Sequence, residues 1–548
     1  MGRGYALIAC WLVLLSCSGA PDSTGGGPFP PLFVEAQPFL TAIGHARAAP
    51  LAQKITGITV PHHLLAADLI AEAFARISTQ GYRRIIILSP DHFSRSRTPF
   101  AVARRNFQTA LGPLVTDEAA VGQLLENTSI SPSNLFSHEH GVQALLPFVA
   151  HHFPEARIVA LAIRYSATPA QWRALALTLT PLLTPDTLII QSTDFSHYLP
   201  AAAARRHDQE TLRVLSGGDP EEVLSLSEPA HLDSKGAQYL QLRLQGEVFR
   251  ASLTVTANRN SQAYTTEPLQ RTTSYIVQLY SPENLGVAGG ERWFFGGDTF
   301  FGRYMAKKLA RADASEHLAA QVVRVTGGAR LIVNLEGVVM PECRQDLGPF
   351  DLCMEAGLAL PLLKRLNVQA VSLANNHSRD FGPAPYQTMV SMLKAAGVTP
   401  LENGDIIDFG DFRLAAFTDA DNQSPQKVAL LRRENMDGLD GVSRDKPLFA
   451  FLHWGREYSQ EPGPRENALI SALTRKGVEL IMGSHTHRAG ALTGHRQACL
   501  AFSLGNFIFD QSQPGISGAL LEARFFPQGT YFLKWHPLGN LYVAAAAP

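Results

Sequence analysis

Short apolar runs that end in polar residues recur along the chain, each followed by a stretch with helical spacing. In the first half they are "RRIIILSP" and "TLIIQSTDFSH". In the second half they are "RLIVNLEG", "VQAVSLANNH", "FAFLHWG" and "VELIMGSHTH". A short unbroken apolar run suits a strand covered on both faces, and the amphipathic stretches between runs supply the covering helices. This alternation predicts α/β layers, with ligands bound just beyond the strand ends.

Two turn-rich breaks and one change of composition divide the chain. Residues 18–31 form a Gly/Pro/Ser-rich leader, "SPENLGVAGGE" at 281–291 reads as a linker, and from about Gln528 the chain runs to "AAAAP". The predicted organisation is a leader and tether at 1–27, a first domain at 28–282, a linker at 283–291, a second domain at 292–527 and a tail at 528–548. A chain of 548 residues is too long for one core, which agrees with this division.

The first residues change the expected location. An apolar stretch from Tyr5 to Leu15 follows Arg3; it is too short to span a bilayer comfortably and suits a secretory signal core. Two cleavage readings fit. Ser18-Gly19-Ala20 resembles a signal-peptidase site, whereas Leu14-Leu15-Ser16-Cys17 resembles a lipobox that would lipidate Cys17. The lipoprotein is favoured, giving an exported, membrane-anchored protein. Beyond the leader, Cys343 and Cys353 suit a local disulfide, and Cys499 suits a buried thiol. Charge excludes one partner class. Lys plus Arg total 47 against 48 for Asp plus Glu, so no basic footprint for nucleic acid exists.

Five strand ends in the second half carry potential metal donors: Asp298, Glu336, Asn376 with His377, His453 with Glu457 four residues on, and His485 with His487. Carboxylate, amide oxygen and imidazole together suit Zn, Mn or Fe better than a calcium cage or a thiolate site. Two such ions side by side could activate water and clamp an oxyanion. Each motif alone is weak; their shared placement at strand ends gives them weight.

The stretches "GGDTF", "NLEG", "LANNHSRDFG", "HWGREY", "GSHTH" and "FSLGNFIFD" resemble the CapA (poly-γ-glutamate/capsule biosynthesis) family over about 292–520. The resemblance implies a calcineurin-like four-layer α/β/β/α sandwich. It also implies Asp298, Glu336, Asn376, His453, His485 and His487 as metal ligands, His377 as the catalytic histidine and Glu457 as a supporting group. Two departures from the wider metallophosphatase pattern weaken one metal position: Phe300 replaces a histidine and Glu336 an aspartate.

The first half has its own histidine-rich strand ends, "GITVPHHLLAA", "IIILSPDHFS", "SHEHGVQALLPF" and "IIQSTDFSHYLP". In order they resemble the Memo-like family (AmmeMemoRadiSam system protein B), itself similar to extradiol dioxygenases. The resemblance implies an α/β domain with a pocket of His62, His92, Asp194 and His197, with His140 nearby. Where that family commonly has a Cys, this chain has "HLDSKGAQ", with Asp233 or Ser234. Asp233 could complete an Fe or Cu site of two histidines and a carboxylate, or mark loss of the metal.

Three functions follow as expectations. The first is a metal-dependent hydrolase or transferase acting on envelope polymer or a phosphorylated precursor. The second is a non-catalytic surface scaffold for polymer or for capsule-synthesis partner proteins. The third is an iron- or copper-dependent redox activity in the first domain.

Overall fold

The computed structural model describes residues 26–286, 290–311, 313–344, 347–348, 350–420, 431 and 436–544. Cys17, most of the expected leader and the middle of the expected linker lie outside the described residues. Among the described residues, no helix is long and apolar enough to cross a membrane.

In the first domain, four parallel strands form the centre of one sheet, in the order Gly57–Val60, Thr187–Ser192, Arg84–Pro90 and Arg157–Ile163. Strand Thr272–Ser281 pairs antiparallel beside the first of them. Both faces are covered. Ile85 and Ile87 enter the core beneath helices Ala67–Ile77 and Leu146–His152. Ile86 and Leu88 enter the opposite core beneath Pro169–Leu179 and Lys235–Glu247. The period-two alternation of a strand therefore divides one apolar run between two cores.

The second domain contains two facing sheets. One has the order Thr399–Leu401, Val368–Ser372, Arg330–Leu335, Glu291–Thr299, Gly518–Phe525 and Tyr531–Gly539. The other has the order Ile406–Asp408, Arg413–Thr418, Leu448–His453, Val478–Ser484, Cys499–Ala501 and Leu492–Gly494. Phe295, Ile332, Ala416, Phe449 and Met482 fill the space between them. Helices Ala314–Thr326, Ala356–Arg365 and Pro383–Ala395 cover the outside of the first sheet, and Pro464–Arg475 covers the second. The result is the expected four-layer α/β/β/α sandwich.

One expectation is corrected. Residues after Gln528 are not simply a tail, because Tyr531–Gly539 pairs antiparallel with Gly518–Phe525. Its alternation explains the difference: Tyr531 and Leu533 enter the inter-sheet core while Phe532 packs with the first domain. This hairpin and helix Ala201–Gly217 join the domains. Gln209 exchanges two hydrogen bonds with the Tyr531 backbone, at 2.8 and 3.1 Å. The helix approaches so closely that a Cβ on Gly217 would lie 2.4 Å from the Gly494 nitrogen.

Candidate metal centres

Strand order brings the polar ends of the second domain to one edge of the sandwich. Asp298 lies near the end of Glu291–Thr299, Glu336 follows Arg330–Leu335 and Asn376 follows Val368–Ser372. From the facing sheet, His453 ends Leu448–His453, and His485 and His487 follow Val478–Ser484. Glu336, His453 and His485 each offer a donor atom within 4.8 Å of the others, and so do Asp298, Glu336 and His487. Glu336 belongs to both groups, as a carboxylate bridging two adjacent cations would.

Other contacts tighten this arrangement. His453 Nε2 lies 2.7 Å from Asn376 Oδ1 and 3.7 Å from Glu336 Oε1. His487 Nδ1 lies 3.3 Å from Asp298 Oδ2 and 2.8 Å from Asn506 Oδ1. Asn334 Nδ2 donates to Asp298 at 2.9 Å, and the His485 N–H donates to both Asp298 oxygens at 2.9 and 3.2 Å. His485 and His487 have φ of 90° and 59°, a left-handed conformation that costs on the order of 1–3 kcal/mol at a non-glycine residue. That strained turn brings both imidazoles to the same edge.

The donor set fits a cation. Glu336 Oε2 and His485 Nδ1 are buried with no hydrogen-bond partner among the described residues, a cost of about 1–3 kcal/mol each that a metal would remove. Burial, reinforced by the charge of Asp298, pushes the Glu336 carboxyl up to about 8. Burial opposes protonation of His487, but its bond to Asp298 and the Glu336 charge raise it to about 9. Protons thus supply positive charge where a metal would.

Neighbouring residues take distinct places. Asn375 shapes the turn: its Nδ2 donates to Leu335 O at 2.9 Å and its Oδ1 accepts the His377 N–H at 3.1 Å. His377 Nδ1 lies 2.9 Å from Asp380 Oδ2. Burial lowers the basicity of His377, but the Asp380 bond and the Glu336 charge raise it above its ordinary value. Glu457 is exposed, and its charge is felt at Glu336 and His485. Phe300 is fully buried in the outer core and supplies no donor to the group of Asp298, Glu336 and His487, beside which the Asn506 amide oxygen lies 2.8 Å from His487 Nδ1.

The first domain gathers a second group. His62, His92 and His140 offer donor atoms within 4.8 Å of one another. Asp233 Oδ2 lies 3.3 Å from His62 Nε2 and 3.8 Å from His92 Nε2. Of the two alternatives in "HLDSKGAQ", Asp233 therefore faces the histidines. Ser234 caps helix Lys235–Glu247, its Oγ accepting the Ala237 N–H. Asp194 accepts the His62 N–H at 3.1 Å and lies 3.6 Å from His62 Nε2. His197 Nδ1 is buried without a partner among the described residues.

The His62 tautomer follows from its neighbours. Ser192 Oγ gives its only proton to Gly141 O at 2.5 Å, so it accepts from His62 Nδ1–H at 3.0 Å. His62 Nε2 is left with a lone pair aimed toward two carboxylates, and burial holds the ring well below its ordinary pKa. A lone pair facing carboxylate oxygen is repulsive unless a cation or proton lies between them, so this group too fits a metal. Glu139 orients His92 by accepting from its Nδ1 at 2.6 Å. Burial opposes it, but bonds to Asp233 and Glu139 raise His92 to about 10.

Comparison with known proteins agrees with both halves. The model of Memo-like proteins matches residues 34–262, and that of bacterial capsule synthesis proteins (PGA_cap) matches 292–401 and 443–511. The chain joins a Memo-like domain to a CapA-type domain. A capsule biosynthesis protein CapA of Bacillus anthracis is 26% identical over 272 residues, covering 44% of this chain and 66% of that protein. A PGA biosynthesis protein CapA of Bacillus subtilis (strain 168) is 23% identical over 307 residues, covering 50% and 76%. A MEMO1 family protein of Thermotoga maritima is 28% identical over 175 residues, covering 31% and 63%. The chain thus spans just under two-thirds of the first and third of these relatives.

Several residues that shape the sites were not singled out from the sequence as site residues. Asn334 and Asn506 lie inside the quoted motifs, and the available signal was an amide within an otherwise apolar strand. Glu139 and Ser192 lie beside the predicted histidines, but only the fold shows which ring each one orients.

Proposed function

We propose that the CapA-type domain is a divalent-metal-dependent hydrolase or transferase acting on a capsule or poly-γ-glutamate-type envelope polymer, or on a phosphorylated precursor. The observation that carries this reading is Glu336, a buried carboxylate common to two donor groups, with one oxygen unpaired. Asp298, Glu336, Asn376, His453, His485 and His487 would hold Mn, Zn or Fe. Bound ions supply Lewis acidity and an activated water. The neutral Asn376 oxygen donates without adding charge, and His377 delivers a proton to the leaving oxygen. Metal analysis tests the reading: full-length protein purified without chelator should carry transition metal in this domain. A chain that binds none would sink it. Intact capsule formation with all six ligands replaced would instead favour the surface scaffold.

A second reading concerns the Memo-like domain, where Asp233 beside His62 and His92 favours Fe or Cu and a redox activity. His62→Ala in the full chain should abolish an iron or copper signal there; an unchanged signal would rule this out. Export and lipid anchoring at Cys17 belong to the same proposal, on the strength of the apolar stretch and the lipobox. Cys17→Ser should move the protein out of the membrane fraction.

A further inference from the structure

Leu352 links two features of the CapA-type domain that the metal groups do not use. Its N–H donates to Asp380 Oδ2 at 3.1 Å, and the same oxygen lies 2.9 Å from His377 Nδ1. Its carbonyl accepts the Val338 N–H at 2.8 Å. The next residue, Cys353, is disulfide-bonded to Cys343 and begins a short strand, Cys353–Glu355, parallel to Val338–Met340. The surrounding backbone leaves little slack. Gly337 has φ of 132°, and a Cβ there would lie 2.7 Å from Leu352 O. Leu352 itself is buried.

The chemistry makes this chain of contacts directional. Asp380 accepts from the Leu352 amide, which holds the carboxylate in place, and it accepts the proton of His377 Nδ1. That holds Nδ1 as the donor to Asp380 and leaves Nε2 as the nitrogen that carries and delivers the transferred proton. A histidine that transfers a proton needs both its orientation and its tautomer set before the reaction.

We propose that the Cys343–Cys353 bridge, acting through the Leu352 N–H and Asp380, positions His377. Asp380 is then a positioning residue, and the disulfide is its anchor. The inference rests on the role given to His377 under Proposed function.

The test uses the full-length chain loaded with Mn²⁺, with bis(p-nitrophenyl) phosphate as probe. The Cys343→Ser, Cys353→Ser double variant should lose about tenfold in kcat, with KM and Mn²⁺ stoichiometry unchanged. Leu352 amide exchange should accelerate in the same variant. Asp380→Asn should shift the His377 Nδ1–H resonance away from its carboxylate-bonded position and lower kcat similarly. If the double variant does not fold, reducing the folded wild type with a water-soluble phosphine asks the same question. Unchanged Leu352 exchange and kcat would overturn the proposal, as would loss of Mn²⁺, which would place the bridge's effect on the metal. If the wild type binds Mn²⁺ but does not hydrolyse the probe, the hydrolase reading loses its support. Leu352 exchange and the His377 resonance then decide the positioning relay by themselves, faster exchange with a shifted resonance supporting it and no change in either overturning it.

Discussion

The two histidine-rich sites use the same groups in opposite arrangements. In the Memo-like domain the histidines converge, with His92 and His140 ring centres 4.0 Å apart, and Glu139 orients His92 from its Nδ1 side. In the CapA-type domain a carboxylate takes the central place, since Glu336 belongs to both donor groups and Asp298 to one of them. A histidine-centred pocket suits one borderline ion, whereas a central carboxylate lets two cations share charge. Similar sequence signals, histidines after apolar strands, thus describe two different kinds of site.

Removing ligands from one site and measuring metal in both breaks this comparison most directly. His485→Ala with His487→Ala should strip the CapA-type domain and leave the Memo-like metal in place, and His62→Ala should do the reverse. Elemental analysis of the full chain reads both, and loss from both sites in either variant would show that they are not independent. Within the CapA-type domain, metal titration should show two unequal steps. The group of Glu336, Asn376, His453 and His485 has four donors and fills first. The group of Asp298, Glu336 and His487 gains no donor from Phe300, which is in the core, and is expected to fill second. Two equal steps would show that another group compensates.

Asn376 and His377 are adjacent yet assigned different work. Asn376→Ala should reduce metal occupancy. His377→Ala should spare the metal and lower turnover on the order of 10²–10⁴-fold, the usual range for a proton-transfer group. Equal loss of metal in both variants would merge the two roles.

How far these sites were legible from the sequence depends on where each residue sits. Every predicted ligand of the CapA-type site lies at or just after a strand end, and the parallel strands of the two facing sheets bring those ends to one edge, so their order along the chain carried much of the geometry. Asp380 was invisible as a partner because two residues of turn separate it from His377, and its second contact, Leu352, comes from a distant segment. The strand Tyr531–Gly539 was missed for a related reason. "YFLKWHPLG" contains Pro537 and gains its burial from a facing sheet and a neighbouring domain. Asp233 was legible as a candidate because a carboxylate stood where a thiol was expected. Its choice over Ser234 required the helix cap.

The protonated groups predict how metal uptake follows pH. Glu336 is raised to about 8 and His487 to about 9 without metal, so both hold protons at pH 7 that a cation must displace. Affinity should therefore strengthen as pH rises toward 9, by about tenfold per pH unit for each proton released. Calorimetry in buffers of different ionisation enthalpy counts those protons, and uptake without proton release would contradict the assignment.

The smallest expected effect tests what does not count as a third site. His207, Glu210 and His231 also lie within donor distance of one another, at the seam between the domains. Yet His231 Nδ1 accepts the Ser227 N–H at 3.1 Å, so its proton is on Nε2 and donates to Glu210 at 2.9 Å. No lone pair remains for a metal. Glu210 instead binds Arg496 of the other domain, at 2.6 and 2.9 Å. Burial would raise this carboxyl, but the bonds from His231 and Arg496 hold it at about 2. A carboxylate with a depressed folded-state pKa stabilises the protein above its unfolded value near 4.5, and that contribution fades as pH falls toward 2. Because the pair is partly exposed, Glu210→Gln should cost no more than about 1 kcal/mol at neutral pH. It should also flatten the loss of stability between pH 4.5 and 2.5 in urea unfolding. An unchanged acid slope would mean that the seam is held by the Gln209 and Tyr531 backbone bonds, with Glu210 contributing nothing measurable.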